Sequence, residues 1–415
     1  MSKDFKVQMT EILDLLGENI DISRSQHEAA IKRYEAVGDW LSKDDSPLYR
    51  FSPRIIPQGS FNLGTITRPI NDNDEIDVDF VCKLERKPSN WTQKHLKEAV
   101  GDRLKQCKKY QKMLKDQDGG RRCWTLVYAE ESNFHMDILP SLADNNLNEL
   151  LDEEFSSASE LNVDKLAVRI TDKEHELYQS ETDSNHWLKS NPFGYAKWFF
   201  QRAISLDNRK IYLKKTIDPL RRYEENKLPL QRIVQLLKRH RDIMFSSGEY
   251  NSDNKPISMI ITTLAASAYN GSDNIYDTFQ YVVGEMRYRI EIKRNHKTGK
   301  DEKWISNPVN QEENFADKWL EVREKEEHFY AWLDRLEEDA NTLKSFKGKG
   351  FHVLNKTLAK QYGREVVQKT FAEYGDEKRG LRELGKGKMQ VGTGILGVTG
   401  KPILNHNFEG NCQYE

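Results

Sequence analysis

The nine residues IDVDFVCKL, at 76–84, constrain the fold more than any other stretch of the chain. Apolar, mostly β-branched or aromatic residues alternate with two aspartates, and a period of two belongs to a strand rather than a helix. Asp77 and Asp79 then project from one face. Ile76, Val78 and Phe80 project from the other, where helices must cover them. Such a strand demands a sheet with an apolar back and an acidic front. Two carboxylates this close repel, so their face is either well solvated or built around a cation. Hard divalent ions with oxygen ligands, Mg²⁺ above all, suit the pair.

A second strand supplies a third carboxylate. In NFHMDILP, Asp137 shares its face with His135, while Met136 and Ile138 point the other way. Three carboxylates so placed fit a two-metal site, with one ion on an attacking oxygen and one on a leaving pyrophosphate. Asp77 and Asp79 would hold both ions. Asp137 would hold the ion that activates a hydroxyl and would take its proton. Upstream, Gly59 and Ser60 form a turn. Glycine lets the backbone approach a phosphate, and its amide and the Ser60 hydroxyl suit the β/γ-phosphates of a nucleotide. The following FNLGT is expected to open a helix whose N-terminus faces the anion. Taken singly these signals are weak, since an Asp-x-Asp pair is more often a solvated strand face. Their order, between strands, makes coincidence the poorer reading.

The chain of 415 residues suits two domains. The first, 1–184, would hold two N-terminal helices over residues 5–42, a polar break, and an α/β stretch around the basic helix TQKHLKEAVGDRLKQCKKYQKML. The second, 185–380, reads as mainly helical, with helices opened by proline at NPFGYAKW, LPLQRIVQ and KPISMIIT. A hairpin is expected within MRYRIEIKRNHKTGKDEKWI. Residues 381–415 are glycine-rich and read as a flexible tail. Lys plus Arg number 64 against 66 Asp plus Glu, a balance that argues against coating a long polyanion. Four cysteines without a CxxC spacing argue against a disulfide framework or zinc site. Without an apolar leader or a membrane-length stretch, the chain is expected to be cytoplasmic.

On a helical wheel LPLQRIVQLLKRHRD groups Leu230, Ile233, Val234, Leu237 and the later Met244 on one face. Lys238 lies at the edge of that stripe. Arg241 falls nearly within it and needs an anionic partner. Arg239 points away and is expected in solvent. Trp187, Trp198 and Phe199 are expected to join the two lobes.

The order Gly-Ser, Asp-x-Asp, strand Asp resembles the polymerase-β-like nucleotidyltransferase superfamily. The segments PQGSFNLGTITRP, DEIDVDFVCKL, FHMDILPS, LPLQRIVQLLKRHRD and PISMIITTLAASAY narrow the resemblance to bacterial cyclic GMP-AMP synthase-like enzymes, the CD-NTases of anti-phage (CBASS) operons. It covers about residues 12–343. The gap from Ser60 to Asp77 is longer than in the generic superfamily pattern and fits this bacterial branch. The resemblance implies an α+β, bilobed protein: a nucleotidyltransferase lobe with a mixed sheet, and a helical C-terminal lobe closing a central cleft. It implies Asp77, Asp79 and Asp137 as catalytic and metal-binding residues, with two Mg²⁺ ions (or Mn²⁺). Gln58, Gly59, Ser60, Lys238 and Ser258 would bind substrate, the last two against a donor triphosphate tail. For Lys238 and Ser258 the ordinary alternatives are a lysine lying along a helix edge and a helix cap.

The implied activity joins nucleoside triphosphates, ATP or GTP before pyrimidine nucleotides, into a cyclic di- or trinucleotide messenger that acts on an effector. Some bacterial relatives have their C-terminus joined to other molecules by a ubiquitin-like E1/E2 enzyme, a role the tail would allow. The Cys/His zinc cluster of DNA-sensing animal relatives is missing, which disfavours direct DNA sensing. The competing readings are a template-independent transferase acting on RNA or protein, and an inactive nucleotide-binding scaffold.

Overall fold

The acidic strand sits inside a six-stranded mixed sheet. Its members are β1 (Arg54–Pro57), β2 (Ile76–Leu84), β3 (Trp124–Tyr128), β4 (Phe134–Ala143), β5 (Val168–Ile170) and β6 (Lys189–Ser190). The order is β1-β2-β4-β5-β6, with β3 also paired to β4. β2 and β4 run parallel, and the other neighbours are antiparallel. The computed structural model describes residues 3–71, 75–128, 134–144, 166–204, 223–295, 299–346, 350–386, 388–389, 396–397 and 401–402. The architecture is α+β, as the sequence implies.

The helices are α1 (Lys3–Ile20), α2 (Arg24–Ser42), α3 (Gly59–Leu63), α4 (Gln93–Gln106), α5 (Lys108–Met113), α6 (Pro192–Ala203), α7 (Pro229–Phe245), α8 (Ser258–Ala268), α9 (Ile275–Met286), α10 (Arg323–Lys344), α11 (Phe351–Tyr362) and α12 (Arg364–Glu383). The basic helix read from sequence is broken at Cys107 into α4 and α5. Proline opens α6 and α7, where its missing amide proton costs nothing. The hairpin forms from β7 (Glu291–Arg294) and β8 (Asp301–Trp304).

The alternation in β2 decides how the sheet is covered. Ile76, Val78 and Phe80 are buried at the back, in one core with Tyr34 and Val37 of α2 and Leu96, Val100 and Leu104 of α4. The Phe80 ring stacks on Tyr34 with centroids 5.0 Å apart. α4 crosses Trp124 so closely that a Cβ at Gly101 would fall 2.0 Å from the indole, so only glycine fits there. At the front the second half of each central strand turns apolar. Val81 and Leu139 pack with Val168, Ile170 and Phe193 of α6. The front is therefore open only over its first half, where Asp77 and Asp79 stand.

The helices from α6 onward share a separate core centred on α7, whose residues from Leu230 to Arg241 are all buried. α1 belongs to this core. Met9, Ile12, Leu13 and Leu16 pack with Leu230, Ile233, Val234 and Leu237. A cut at residue 185 would assign α1 to the sheet, yet its apolar stripe lies among the helices. α12 closes over α1, where Asn19 donates to Glu373 at 2.6 Å and Lys378 pairs with Glu11 at 2.7 Å. The expected lobe-joining aromatics divide instead: Trp187 lies in the sheet core, while Phe199 and Trp198 pack among the helices. Most of the glycine-rich tail lies outside the described residues. Among those described, no helix is long and apolar enough to cross a membrane.

Candidate active site

Parallel pairing of β2 and β4 fixes the acidic front. Asp79 lies opposite Asp137, and Asp77 opposite His135. The Asp79 carboxyl is pushed up to about 7, first by burial and then by the charges of Asp137 and Asp77. Asp77 reaches into the open cleft. Its carboxyl is also raised, by the protein around it and then by Asp137 and Glu75, against the opposing pull of His135. The Thr125 hydroxyl, on β3, donates to Asp137 Oδ1. His135 stands between two acids, with Nε2 2.5 Å from Glu75 and Nδ1 3.5 Å from Asp77.

The Gly59 turn presses on the same spot. Its φ is +60°, and a Cβ there would fall 2.6 Å from Asp79 Oδ2, so both conformation and space demand glycine. The Gln58 amide donates to the Asp79 carbonyl at 2.9 Å and pins the start of α3 to β2. Side-chain and turn chemistry thus converge on one carboxylate.

A cleft of about 780 Å³ opens over this front, between the sheet and α7–α8. Of the residues singled out from sequence, Gly59, Ser60, Asp77, Asp79, Lys238 and Ser258 line it. Asp137, opposite Asp79 on the ladder, and Gln58, the residue before α3, are not among the residues that line it. Lys238 is buried, and its Nζ donates to the Thr65 carbonyl at 2.9 Å. Burial, then the charge of Arg241, lowers its pKa to about 8. Ser258 does not cap α8; its Oγ accepts from Arg241 Nη1 at 3.0 Å. Arg241 also pairs with Asp242 at 2.7 Å, which gives it the carboxylate the sequence demanded.

Arg239 is not in solvent. It is buried, donating from Nε to the Tyr362 carbonyl at 3.0 Å and from Nη1 to the Arg68 carbonyl at 3.1 Å. It belongs to a row that the sequence reading missed. Gln231 donates to Leu63 O, Gln235 to Ile66 O and Lys238 to Thr65 O, so with Arg239 four side chains on one face of α7 hold carbonyls of residues 63–68. Gly64, at φ +64°, gives Gln231 room, since a Cβ there would lie 2.5 Å from its amide nitrogen. The signal for this row is a stripe of four donors, Gln, Gln, Lys and Arg, at i, i+4, i+7 and i+8, with no acid among them. Gln235→Leu should strand the Ile66 carbonyl and remove an acceptor from Arg232, costing about 1–3 kcal/mol in urea unfolding. An unchanged midpoint would show that the row is not holding the segment.

Asp77, Asp79 and Asp137 are the oxygen donors a hard divalent ion uses, and their mutual repulsion is what such an ion relieves. Among the described residues no three His, Cys, Asp or Glu side chains are gathered as a bound ion gathers them. The fit to Mg²⁺ is one of donor type, three carboxylates on neighbouring strands.

Comparison with known proteins follows the same lines. The model of a "Second Messenger Oligonucleotide or Dinucleotide Synthetase domain" matches residues 7–154. A c-di-GMP synthase of Roseivirga ehrenbergii is 29% identical over 99% of this chain and 100% of its own. The cyclic dinucleotide synthase CdnG of Bradyrhizobium diazoefficiens is 23% identical over 88% of this chain and 83% of its own. The structure of that organism's CD-NTase CdnG in complex with GTP superposes with a TM-score of 0.62 at 20% identity, covering 88% of this chain and 97% of that one. The Escherichia coli MS115-1 CdnC structure with ATP gives 0.52 at 16% identity, over 85% and 96%. These last two share the fold.

Proposed function

We propose that the chain is a bacterial cyclic GMP-AMP synthase-like nucleotidyltransferase that joins two guanine nucleoside triphosphates into cyclic di-GMP, releasing pyrophosphate at each step. The observation that carries the reading is the register of Asp79 against Asp137, with Asp77 beside them and the Gly59 turn pressed against Asp79. The choice of guanine is supported by the full-length relative that is a c-di-GMP synthase. A signalling role against phage, through an effector that senses the product, extends the same reading.

In this reading the Gly59 amide and Ser60 hydroxyl hold the β/γ-phosphates, and Lys238 and Ser258 face the triphosphate from α7 and α8. Asp137 accepts the proton of the attacking hydroxyl, with Thr125 fixing which carboxylate oxygen is free to do so. Asp77 and Asp79 would hold the cations that face the α-phosphate, since bare carboxylates repel it. Mg²⁺ bound by the three carboxylates would supply charge neutralisation at the attacking and leaving oxygens. The linear dinucleotide then re-enters the same cleft for ring closure.

Incubation with GTP and Mg²⁺ alone, without RNA, should yield a phosphatase-resistant product with the mass of cyclic di-GMP. A product that requires an RNA or protein acceptor would replace this reading with a template-independent transferase. A mixed ring from GTP and ATP would overturn the guanine assignment alone.

A further inference from the structure

The cleft lining carries charges of both signs: Glu75, Asp77 and Asp79 from the sheet side, with Arg68, Lys238, Arg241 and Lys255. Lys238 links the two groups, being the cation felt by Asp79 while itself opposed by Arg241. Asp242, the lining carboxylate on α7, is committed to Arg241 at 2.7 Å and Lys255 at 3.7 Å. Arg68 differs from its neighbours. Its buried Nε has no hydrogen-bond partner among the described residues. A second guanidinium, that of Arg239, is brought up against the Arg68 carbonyl at 3.1 Å, and the two positive charges oppose one another.

Three residues earlier, Thr65 is 1% exposed and lines the same cleft. Its hydroxyl also has no partner among the described residues. Two buried polar groups without partners would each be costly, and native proteins rarely leave them so without a reason. The backbone around them is held in place, since the α7 row pins residues 63–68 through four carbonyls. A pinned segment presenting an uncompensated arginine and an orphaned hydroxyl to a cleft that Lys238, Arg241 and Lys255 also line suits an anion.

We propose that Arg68 and Thr65 are substrate-binding residues, with Arg68 taking the terminal phosphate of a nucleoside triphosphate whose α-phosphate lies at Asp77 and Asp79. The assignment rests on the function proposed above and adds two residues to its site. A guanidinium suits the task because its planar fork matches two phosphate oxygens at once.

The test uses the whole chain and calorimetric binding of α,β-methylene GTP, GDP and GMP. Arg68→Ala should weaken the triphosphate analogue about 10-fold or more and leave GMP unchanged, so that the preference for three phosphates over one collapses. Arg68→Lys should recover part of the loss. Thr65→Val should weaken the triphosphate by a smaller factor with an unchanged melting temperature. Native binding of the analogue by both Arg68→Ala and Thr65→Val overturns this assignment and leaves the proposed function standing. Equal losses for GMP and the triphosphate, with a lowered melting temperature, make Arg68 structural and overturn it too. If the native chain binds none of the three nucleotides, the proposed function itself falls.

Discussion

Asp77→Asn and Asp79→Asn should each lower turnover about 10³-fold or more, equivalent to about 4 kcal/mol of transition-state stabilisation. Asparagine keeps the shape of the side chain and removes the charge that a divalent ion requires. Neither residue contributes to the apolar back of the sheet, so far-ultraviolet circular dichroism and the unfolding cooperativity should match the native protein. The measurement is product formation under saturating GTP and Mg²⁺, with folding checked on the same samples. Turnover within a few-fold of native for either variant would remove these carboxylates from the chemistry.

The second large effect is on stability, and its sign is opposite. Asp79 titrates near 7 in the folded chain and near the ordinary carboxylate value of about 3.9 when unfolded. The folded state therefore holds this proton more tightly. Between about pH 4 and pH 7 the native form binds more protons than the unfolded one, so the Asp79 contribution to stability falls as pH rises and levels off above that window. In metal-free buffer at pH 8 the full penalty is present, on the order of 2–4 kcal/mol. Asp79→Asn should remove it, so the inactive variant should melt higher than native at pH 8 with a chelator present. The two should converge toward pH 4. Added Mg²⁺ should stabilise the native protein and leave the variant nearly unmoved. Melting curves that stay parallel from pH 4 to pH 8 would show that Asp79 is not strained by its neighbours.

Both effects trace to a feature that could be read from the chain directly. Alternation in IDVDFVCKL and FHMDILP separates acidic from apolar faces without knowledge of partners, because a strand's period depends only on backbone geometry. The Gly59 turn was legible for the same reason, although its role against the Asp79 carboxylate depends on a close approach that only coordinates reveal. The helical half was less legible. A wheel for α7 treats one side as solvent, yet α7 is buried from Leu230 to Arg241 and four of its polar side chains face backbone carbonyls. Arg239 was misplaced by that assumption, and Gln231 and Gln235 passed unnoticed. Likewise α1 has a clear apolar stripe, but a stripe does not name the surface that will cover it. Thr125 carries no motif at all and is identified by its hydroxyl on Asp137; Arg68 falls within PQGSFNLGTITRP, yet only the partner its Nε lacks singles it out.

The α7 row also bears on how such a cup can move. One wall of the cleft, residues 63–68, follows the acid-bearing sheet's own turn in sequence, yet it is fastened to the central helix of the opposite lobe. A jaw-like swing of the lobes would strip four carbonyls of their donors together, at about 1–3 kcal/mol apiece. If the cleft opens and closes, residues 63–68 travel with α7, so that a hinge between this wall and the acidic strand falls in the stretch after Arg68.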